Sequence, residues 1–156
     1  MTTIAVLSDT HRNYGAIEAI VPILDECDMI VHLGDHYDDM DPFYSRYRSK
    51  LYRVHGNCDY GQTKEIILPV EQILIFATHG DLYGVKQGTE RLKRKAREEG
   101  CSVALYGHTH AAEIDEEEGF VTINPGAMTA FSPEKTFCYL VAHEKKCTAV
   151  LRTVTC

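Results

Sequence analysis

The stretch TIAVLSDTHRNYGAIEAIVPILDECDMIVHLGDH, residues 3–36, decides the reading of the fold. Its β-rich opening, TIAVLS, runs into Asp9. Apolar residues then recur at Ile17, Ile20, Val21 and Leu24, a helical spacing for which Asn13 is a candidate N-cap. Pro22 should kink that helix or place its end nearby, because proline lacks the N–H a helix interior needs. MIVHLG is a short buried strand. The order strand, helix, strand requires parallel pairing with the helix laid on the sheet. After a polar and aromatic stretch over 37–50 that reads as a helix, LYRVHG supplies a third strand.

Further along, the pattern changes. EIILPV and QILIFATHG read as adjacent strands, and residues 86–99 as a basic helix with Val85, Leu92 and Ala96 inward and Gly100 as its C-terminal cap. SVALYG is another strand. AEIDEEEGFVTIN and TFCYLVAHEKKCTAVLRTV read as two hairpins, turning near 117–119 and 145–146. β/α units followed by a β-rich tail fit a sandwich of two mixed sheets with helices outside. There is no internal repeat, low-complexity tract or linker, and 156 residues suit one domain over 1–156.

Composition narrows the function. With 44% hydrophobic and 25% charged residues the chain reads as an ordinary soluble protein. A formal net charge of −7 argues against broad binding to nucleic acid or anionic membrane. A local positive site for a small anion stays compatible with it. No apolar run is long enough to span a bilayer, and the first residues lack the basic start and long apolar run of a signal peptide. The six cysteines, Cys27, Cys58, Cys101, Cys138, Cys147 and Cys156, form no CxxC or compact framework. Free thiols in a reducing cytoplasm are expected.

The chemistry collects after the strands. SDTH brings Asp9 and His11; LGDH brings Asp35; HGNCD brings Asn57, Cys58 and Asp59; ATHGD brings His79; YGHTH brings His108 and His110. Five strand ends thus deliver side chains able to bind metal, four of them beside a glycine. In parallel α/β sheets such ends gather at one edge, where ligand sites form. Singly, each motif is a common turn, and paired histidines two apart could be satisfied in a core. Turn chemistry, however, has no need of four histidines, so together the motifs point to metal.

The series Asp-x-His, Gly-Asp, Gly-Asn-x-Asp, His-Gly, Gly-His-x-His resembles the calcineurin-like metallophosphoesterase superfamily, from Asp9 to about Ala127, and the short chain is similar to its small phosphodiesterase branch without a cap domain. The resemblance implies a four-layer αββα sandwich of two mixed β-sheets flanked by helices. It implies two metal sites: Asp9, His11 and His110 for one ion, Asn57, His79 and His108 for the other, and Asp35 bridging both. Carboxylate, imidazole and amide donors without thiolate suit two divalent ions, Mn²⁺ first, with Fe, Zn²⁺ or Ni²⁺ as alternatives. The activity implied is a dinuclear-metal phosphodiesterase that hydrolyses small phosphodiesters or activated phosphate esters by in-line attack of a metal-bridging hydroxide, with Asp35, Asn57, Asp59, His79 and His108 as catalytic residues. Phosphomonoesterase or nuclease action at the same site, or a non-catalytic protein-interaction scaffold of this fold, are the alternatives. The expected partner is a small phosphate ester, with neither membrane nor nucleic acid; a homo-oligomer is compatible.

One position departs from the family. Where many members have histidine after the motif's asparagine, this chain has Cys58, a poor stand-in for imidazole as a proton donor. It reads most simply as a small filler, leaving His36, Asp59 or water to protonate the leaving oxygen; Asp59 also reads as a residue that orients a ligand. Arg12 is a candidate phosphate clamp, and Asn124 and Gly126 of NPGA candidate substrate contacts through backbone amides. Where the family often has serine, Ala127 offers no hydroxyl. The basic runs SRYRSK and RLKRKAR read as solvated faces, with Tyr44 and Tyr47 giving the first a small chance of touching a nucleotide.

Overall fold

The computed structural model describes residues 1–155; Cys156 lies outside them. The order is β1 (Thr2–Leu7), α1 (Tyr14–Ala19), α2 (Val21–Glu26), β2 (Met29–His32), α3 (Tyr44–Tyr47), β3 (Leu51–Arg53), β4 (Glu65–Val70), β5 (Ile73–Thr78), α4 (Glu90–Glu98), β6 (Val103–Leu105), β7 (Glu113–Glu117), β8 (Phe120–Asn124), β9 (Thr136–His143) and β10 (Lys146–Thr153). One sheet runs β10-β9-β1-β2-β3, the other β4-β5-β6-β8-β7. β1, β2 and β3 are parallel in the first, as are β5, β6 and β8 in the second. Antiparallel strands complete both sheets.

Alternation along the strands builds the layers. Ile4, Val6 and Val31 of the first sheet meet Ile75, Val103, Leu105 and Ile123 of the second in a central core. Ala5, Leu7 and Ile30 point the other way, onto Ile17, Ile20 and Leu24 of the α1–α2 segment. Phe76 and Ala104 turn outward onto Leu92 and Ala96 of α4. The result is the four-layer αββα sandwich, with the central strands β1, β6 and β8 buried on both faces and the outer strands β4, β7 and β10 exposed on one side.

Two elements differ from the sequence expectation, and a third breaks near Pro22 as expected. The helix of residues 14–26 is broken at Ile20, and Pro22 sits in the first turn of α2, where no N–H is needed. Residues 37–50 are not one helix: Tyr37–Phe43 is a 3₁₀ segment containing Pro42, and only Tyr44–Tyr47 is α-helical. Proline denies the α-type bond there, and the tighter turn takes over. The expected helix over 86–99 starts late, at Glu90, because Gly88 (φ 137°) interrupts it after a 3₁₀ turn at Val85–Gln87. Val85 still packs with Leu92 and Ala96.

Candidate metal centre

All six parallel strands deliver their carboxyl ends to one region, and hydrogen bonds sew the loops together there. Asp9 N donates to Gly34 O at 3.0 Å, Gly107 N to His79 O at 2.8 Å and Met128 N to Asp9 O at 3.3 Å. His79 Nδ1 lies 2.8 Å from Leu33 O, crossing from the second sheet to the first.

Backbone strain concentrates in the same place. Ten described non-glycine residues have positive φ. Seven of them are Asp9 (53°), His11 (38°), Arg12 (63°), Asp35 (58°), His36 (68°), His108 (71°) and His110 (63°). The other three, Glu71, Glu118 and Glu144, occupy hairpin turns. A non-glycine residue held this way costs about 1–3 kcal/mol and persists where surrounding contacts over-determine it.

Those contacts are specific. Asp9, with no exposed surface, accepts from Ser8 Oγ (2.6 Å) and His108 N (3.1 Å) through Oδ2. Asp39, equally buried, accepts from Arg12 N (2.7 Å) and Thr10 Oγ (2.6 Å), pinning the Asp9–Arg12 turn. Thr10 Oγ, having donated to Asp39, accepts from His32 Nε2 at 3.0 Å. Gly34 N donates to His32 Nδ1 at 3.1 Å, so both ring nitrogens are satisfied in the neutral form. Burial accordingly pulls the His32 pKa down to about 4. No local motif links His32, Thr10 and Asp39, which sit in a strand, a turn and a 3₁₀ segment.

Asp59 is equally committed. One carboxylate oxygen accepts from Asp35 N (2.9 Å) and Gly56 N (2.8 Å), the other from His36 N (2.8 Å) and Tyr37 N (3.0 Å). Four N–H groups thus occupy both oxygens of the carboxylate. The geometry supports the ligand-orienting reading of Asp59: it positions the Asp35 turn.

Six of the seven expected ligands fall into two clusters, each with ligand atoms within 4.8 Å of one another: Asp9, His11 and His110; Asp35, His79 and His108. Asp35 faces both, with Oδ2 3.8 Å from His11 Nε2 and Oδ1 3.4 Å from His79 Nε2. Since His79 Nδ1 carries the proton given to Leu33 O, Nε2 presents its lone pair to the site, 3.2 Å from His108 Nδ1. Asn57 stands exposed, its amide 3.8 Å from Cys58 Sγ.

Electrostatics agree with a cation-binding centre. Burial opposes ionisation of Asp9, but His110, His79 and Ser8 hold its pKa below the usual range. Asp35 is likewise lowered, against its burial, by His79 and by the backbone N–H and thiol of Cys58. Burial works against protonation of His79, yet Asp35 and Asp9 raise its pKa; Asp9 raises that of His110. Burial and His79 lower that of His108. Asp9 Oδ1 and His11 Nε2 are buried and make no hydrogen bond, although His110 Nε2 stands 3.1 Å from the former. Buried polar atoms left without partners cost stability, and imidazole and carboxylate donors converging on them fit divalent ions.

Comparison with known proteins decides the family, because residues 2–146 match the calcineurin-like phosphoesterase superfamily domain. The chain belongs to that superfamily. A probable metallophosphoesterase of Methanocaldococcus jannaschii is 33% identical over 130 residues, covering 81% of this chain and 68% of the relative. Vps29 of Entamoeba histolytica, as a double mutant, shares the fold at TM-score 0.81 and 19% identity, covering 97% and 92% of the two chains. A structure described as a novel archaeal phosphodiesterase does so at TM-score 0.74 and 20% identity, covering 96% and 99%.

Within this phosphoesterase, two clefts flank the clusters. One, about 280 Å³, is lined by Arg12, His36, Tyr37, His55, Cys58 and Tyr60 among others. The second, about 410 Å³, is lined by His11, His110, Thr129, Phe131, Ser132 and Pro133. Arg12 thus faces the first cleft. Cys58 also borders the first cleft, but burial and Asp35 push its thiol up to about 11. Asn124 and Gly126 line neither cleft. Buried Asn124 donates to Gly107 O (3.2 Å) and Thr109 Oγ (2.8 Å), and its Oδ1 takes the Gly126 N–H (2.8 Å), so the expected backbone donor is already bonded. Both hold the turn that carries His108.

The basic runs are also more structural than expected. Lys93 is buried and paired with Asp115 (2.6 Å) and Glu117. Tyr47 is buried and donates to Asp25 (2.8 Å), Arg46 pairs with the same carboxylate (2.6 Å), and Lys50 Nζ donates to Leu24 O and Cys27 O (both 2.7 Å). That run ties α3 to α2, leaving Tyr47 no surface for a nucleotide.

Proposed function

We propose that this phosphoesterase is a phosphodiesterase using two divalent ions, Mn²⁺ before Fe, Zn²⁺ or Ni²⁺, on small phosphodiesters or activated phosphate esters. The observation supporting it most strongly is the pair of ligand clusters with Asp35 facing both. Asp9, His11 and His110 would hold one ion; Asn57, His79 and His108 the other; Asp35 would serve both. When bound, such ions supply Lewis acidity toward phosphate oxygens and make water nucleophilic near neutral pH.

The chain's own residues do the rest. Leu33 O fixes the His79 tautomer, and Ser8 and the His108 N–H fix the Asp9 carboxylate. Asp39 holds Arg12 in its left-handed conformation at the cleft, where the guanidinium grips non-bridging phosphate oxygens. With both Asp59 oxygens engaged as acceptors and Cys58 a weak acid, neither side chain delivers a proton to the departing oxygen, which takes its proton from water. The free thiols Cys27, Cys58, Cys101, Cys138 and Cys147 fit a reducing cytoplasm, and no helix among the described residues is long and apolar enough to cross a membrane.

The test is hydrolysis of bis(p-nitrophenyl) phosphate and p-nitrophenyl phosphate by protein stripped of metal and reloaded with Mn²⁺, Ni²⁺, Zn²⁺ or Mg²⁺. Metal-dependent turnover favouring the diester is expected. Turnover of the monoester alone would replace the reading with a phosphomonoesterase, and none in any metal with a scaffold.

A further inference from the structure

Of all described large apolar side chains, the two most exposed are Tyr60 (103%) and Phe131 (95%). They stand one on each cleft beside the clusters. The His11 ring divides the clefts, its centroid 5.0 Å from that of His36 in one wall and 5.5 Å from that of His110 in the other.

Each exposed ring is carried on a fixed base. Gly61, next to Tyr60, lies flat on the His55 ring, where a Cβ would overlap the imidazole. His55 stacks on Tyr37 (4.0 Å, 11°), and Arg53 lies 4.0 Å over Tyr37. The loop is closed by His55 N to Thr63 O (2.7 Å) and Lys64 Nζ to Gly56 O (3.2 Å). Phe131 rides on a turn in which its own N–H reaches Thr129 Oγ (3.4 Å) and Ser132 N reaches Thr129 O (3.1 Å). Rings presented on braced turns lose little entropy when a ligand covers them.

The clefts differ in chemistry. The Tyr60 side carries a guanidinium, imidazoles and a carboxylate at Asp38, polar partners for the edge of a heteroaromatic ring. The Phe131 side adds Pro133 to the phenyl ring and is mainly apolar. A phosphodiester has two organic arms on one phosphorus; a monoester has one.

We infer that the two clefts grip the two arms of an asymmetric phosphodiester: a planar, polar heteroaromatic arm such as a nucleoside against Tyr60, and an apolar arm against Phe131, with the phosphate between them at the paired clusters. The inference rests on the phosphodiesterase reading and names its substrate class. Tyr60 and Phe131 bind substrate and take no part in the chemistry.

The test uses NMR titration of the metal-free protein, which reads binding without turnover. Three probes are compared: thymidine p-nitrophenyl phosphate with both arms, thymidine monophosphate with the nucleoside arm, and p-nitrophenyl phosphate with the aryl arm. The diester should shift the ring signals of both Tyr60 and Phe131. Stacking on an aromatic side chain implies at least about a fivefold rise in Kd when it is removed. Tyr60→Ala should therefore weaken the diester and thymidine monophosphate but not p-nitrophenyl phosphate. Phe131→Ala should weaken the diester and p-nitrophenyl phosphate but not thymidine monophosphate. Because both side chains are exposed, the variants should fold as the wild type does. Unshifted rings, or variants that bind all three probes like the wild type, overturn the inference, even if the loaded enzyme hydrolyses diesters. Both rings engaged with no hydrolysis in any metal would support the two-arm grip and overturn the phosphodiesterase reading instead.

Discussion

Replacing Asp59 tests whether it works by holding backbone or by moving a proton. Its two oxygens accept four N–H groups, from Asp35, Gly56, His36 and Tyr37. A hydrogen bond to a charged acceptor contributes about 1.5–3 kcal/mol net, and a stranded donor costs about as much. The site is only partly buried, so water can recover part of the loss. Four bonds then put Asp59→Ala at about 4 kcal/mol, a large share of the roughly 5–15 kcal/mol that holds a domain folded. Asp59→Asn keeps one acceptor oxygen and sets its NH₂ against the other pair of N–H groups, so about half that loss is expected. Urea unfolding of the metal-free proteins measures both, with the slope checked for two-state behaviour. Metal uptake should weaken in parallel, because Asp35 sits on the turn that Asp59 pins. An Asp59→Ala protein within about 1 kcal/mol of wild type, with unchanged metal uptake, would refute the positioning argument.

Three other outcomes follow from the site. His79 and His110 have pKa values raised by carboxylates, so in the metal-free protein their pairing stabilises the fold fully below about 6.5 and is lost as pH rises through the raised values. Metal uptake runs oppositely, since those protons must leave; calorimetry in buffers of different ionisation enthalpy should show proton release, and uptake without it at pH 6 would contradict the pairing. His32, neutral and pulled to about 4, behaves in the other sense: its contribution is intact above about 6.5 and falls with pH, by about 2–3 kcal/mol at pH 4.5. A His32→Gln protein should show a shallower acid loss in urea titrations at pH 7 and 4.5; an equally steep one would remove His32 as the cause. With the Cys58 thiol near 11, kcat/KM should fall steeply from aryl to alkyl diesters, Cys58→Ser should change little, and Cys58→His should flatten the series. A flat wild-type plot with chemistry rate-limiting would show that His36 already protonates the leaving oxygen.

Legibility in the sequence tracked periodicity and motif. Strands such as β1 and β5 were readable because apolar runs end in punctuating residues, and Asp9, His11, Asp35, His79, His108 and His110 because each sits just past such a run. What stayed hidden depended on contacts between distant segments. Nothing local marks His32 as the partner of Thr10, 22 residues away, or Asp59 as the acceptor for turns 22–24 residues upstream. Asn124 looked like a substrate contact because NPGA is a turn motif, whereas its amide faces the Gly107 turn. The broken helices followed residues visible from the start, Pro22, Pro42 and Gly88. The break near Pro22 was expected, whereas those at Pro42 and Gly88 were not.

The central claim is that Asp35 joins two ion sites, and metal stoichiometry tests it most directly. Protein reloaded with Mn²⁺, freed of excess by gel filtration and analysed for metal should carry about two ions per chain. His110→Ala should retain the site of His79 and His108 and lose the other, whereas Asp35→Ala should lose affinity at both. A wild type that never exceeds one ion per chain, or an Asp35→Ala protein that still holds two as tightly, would contradict the account.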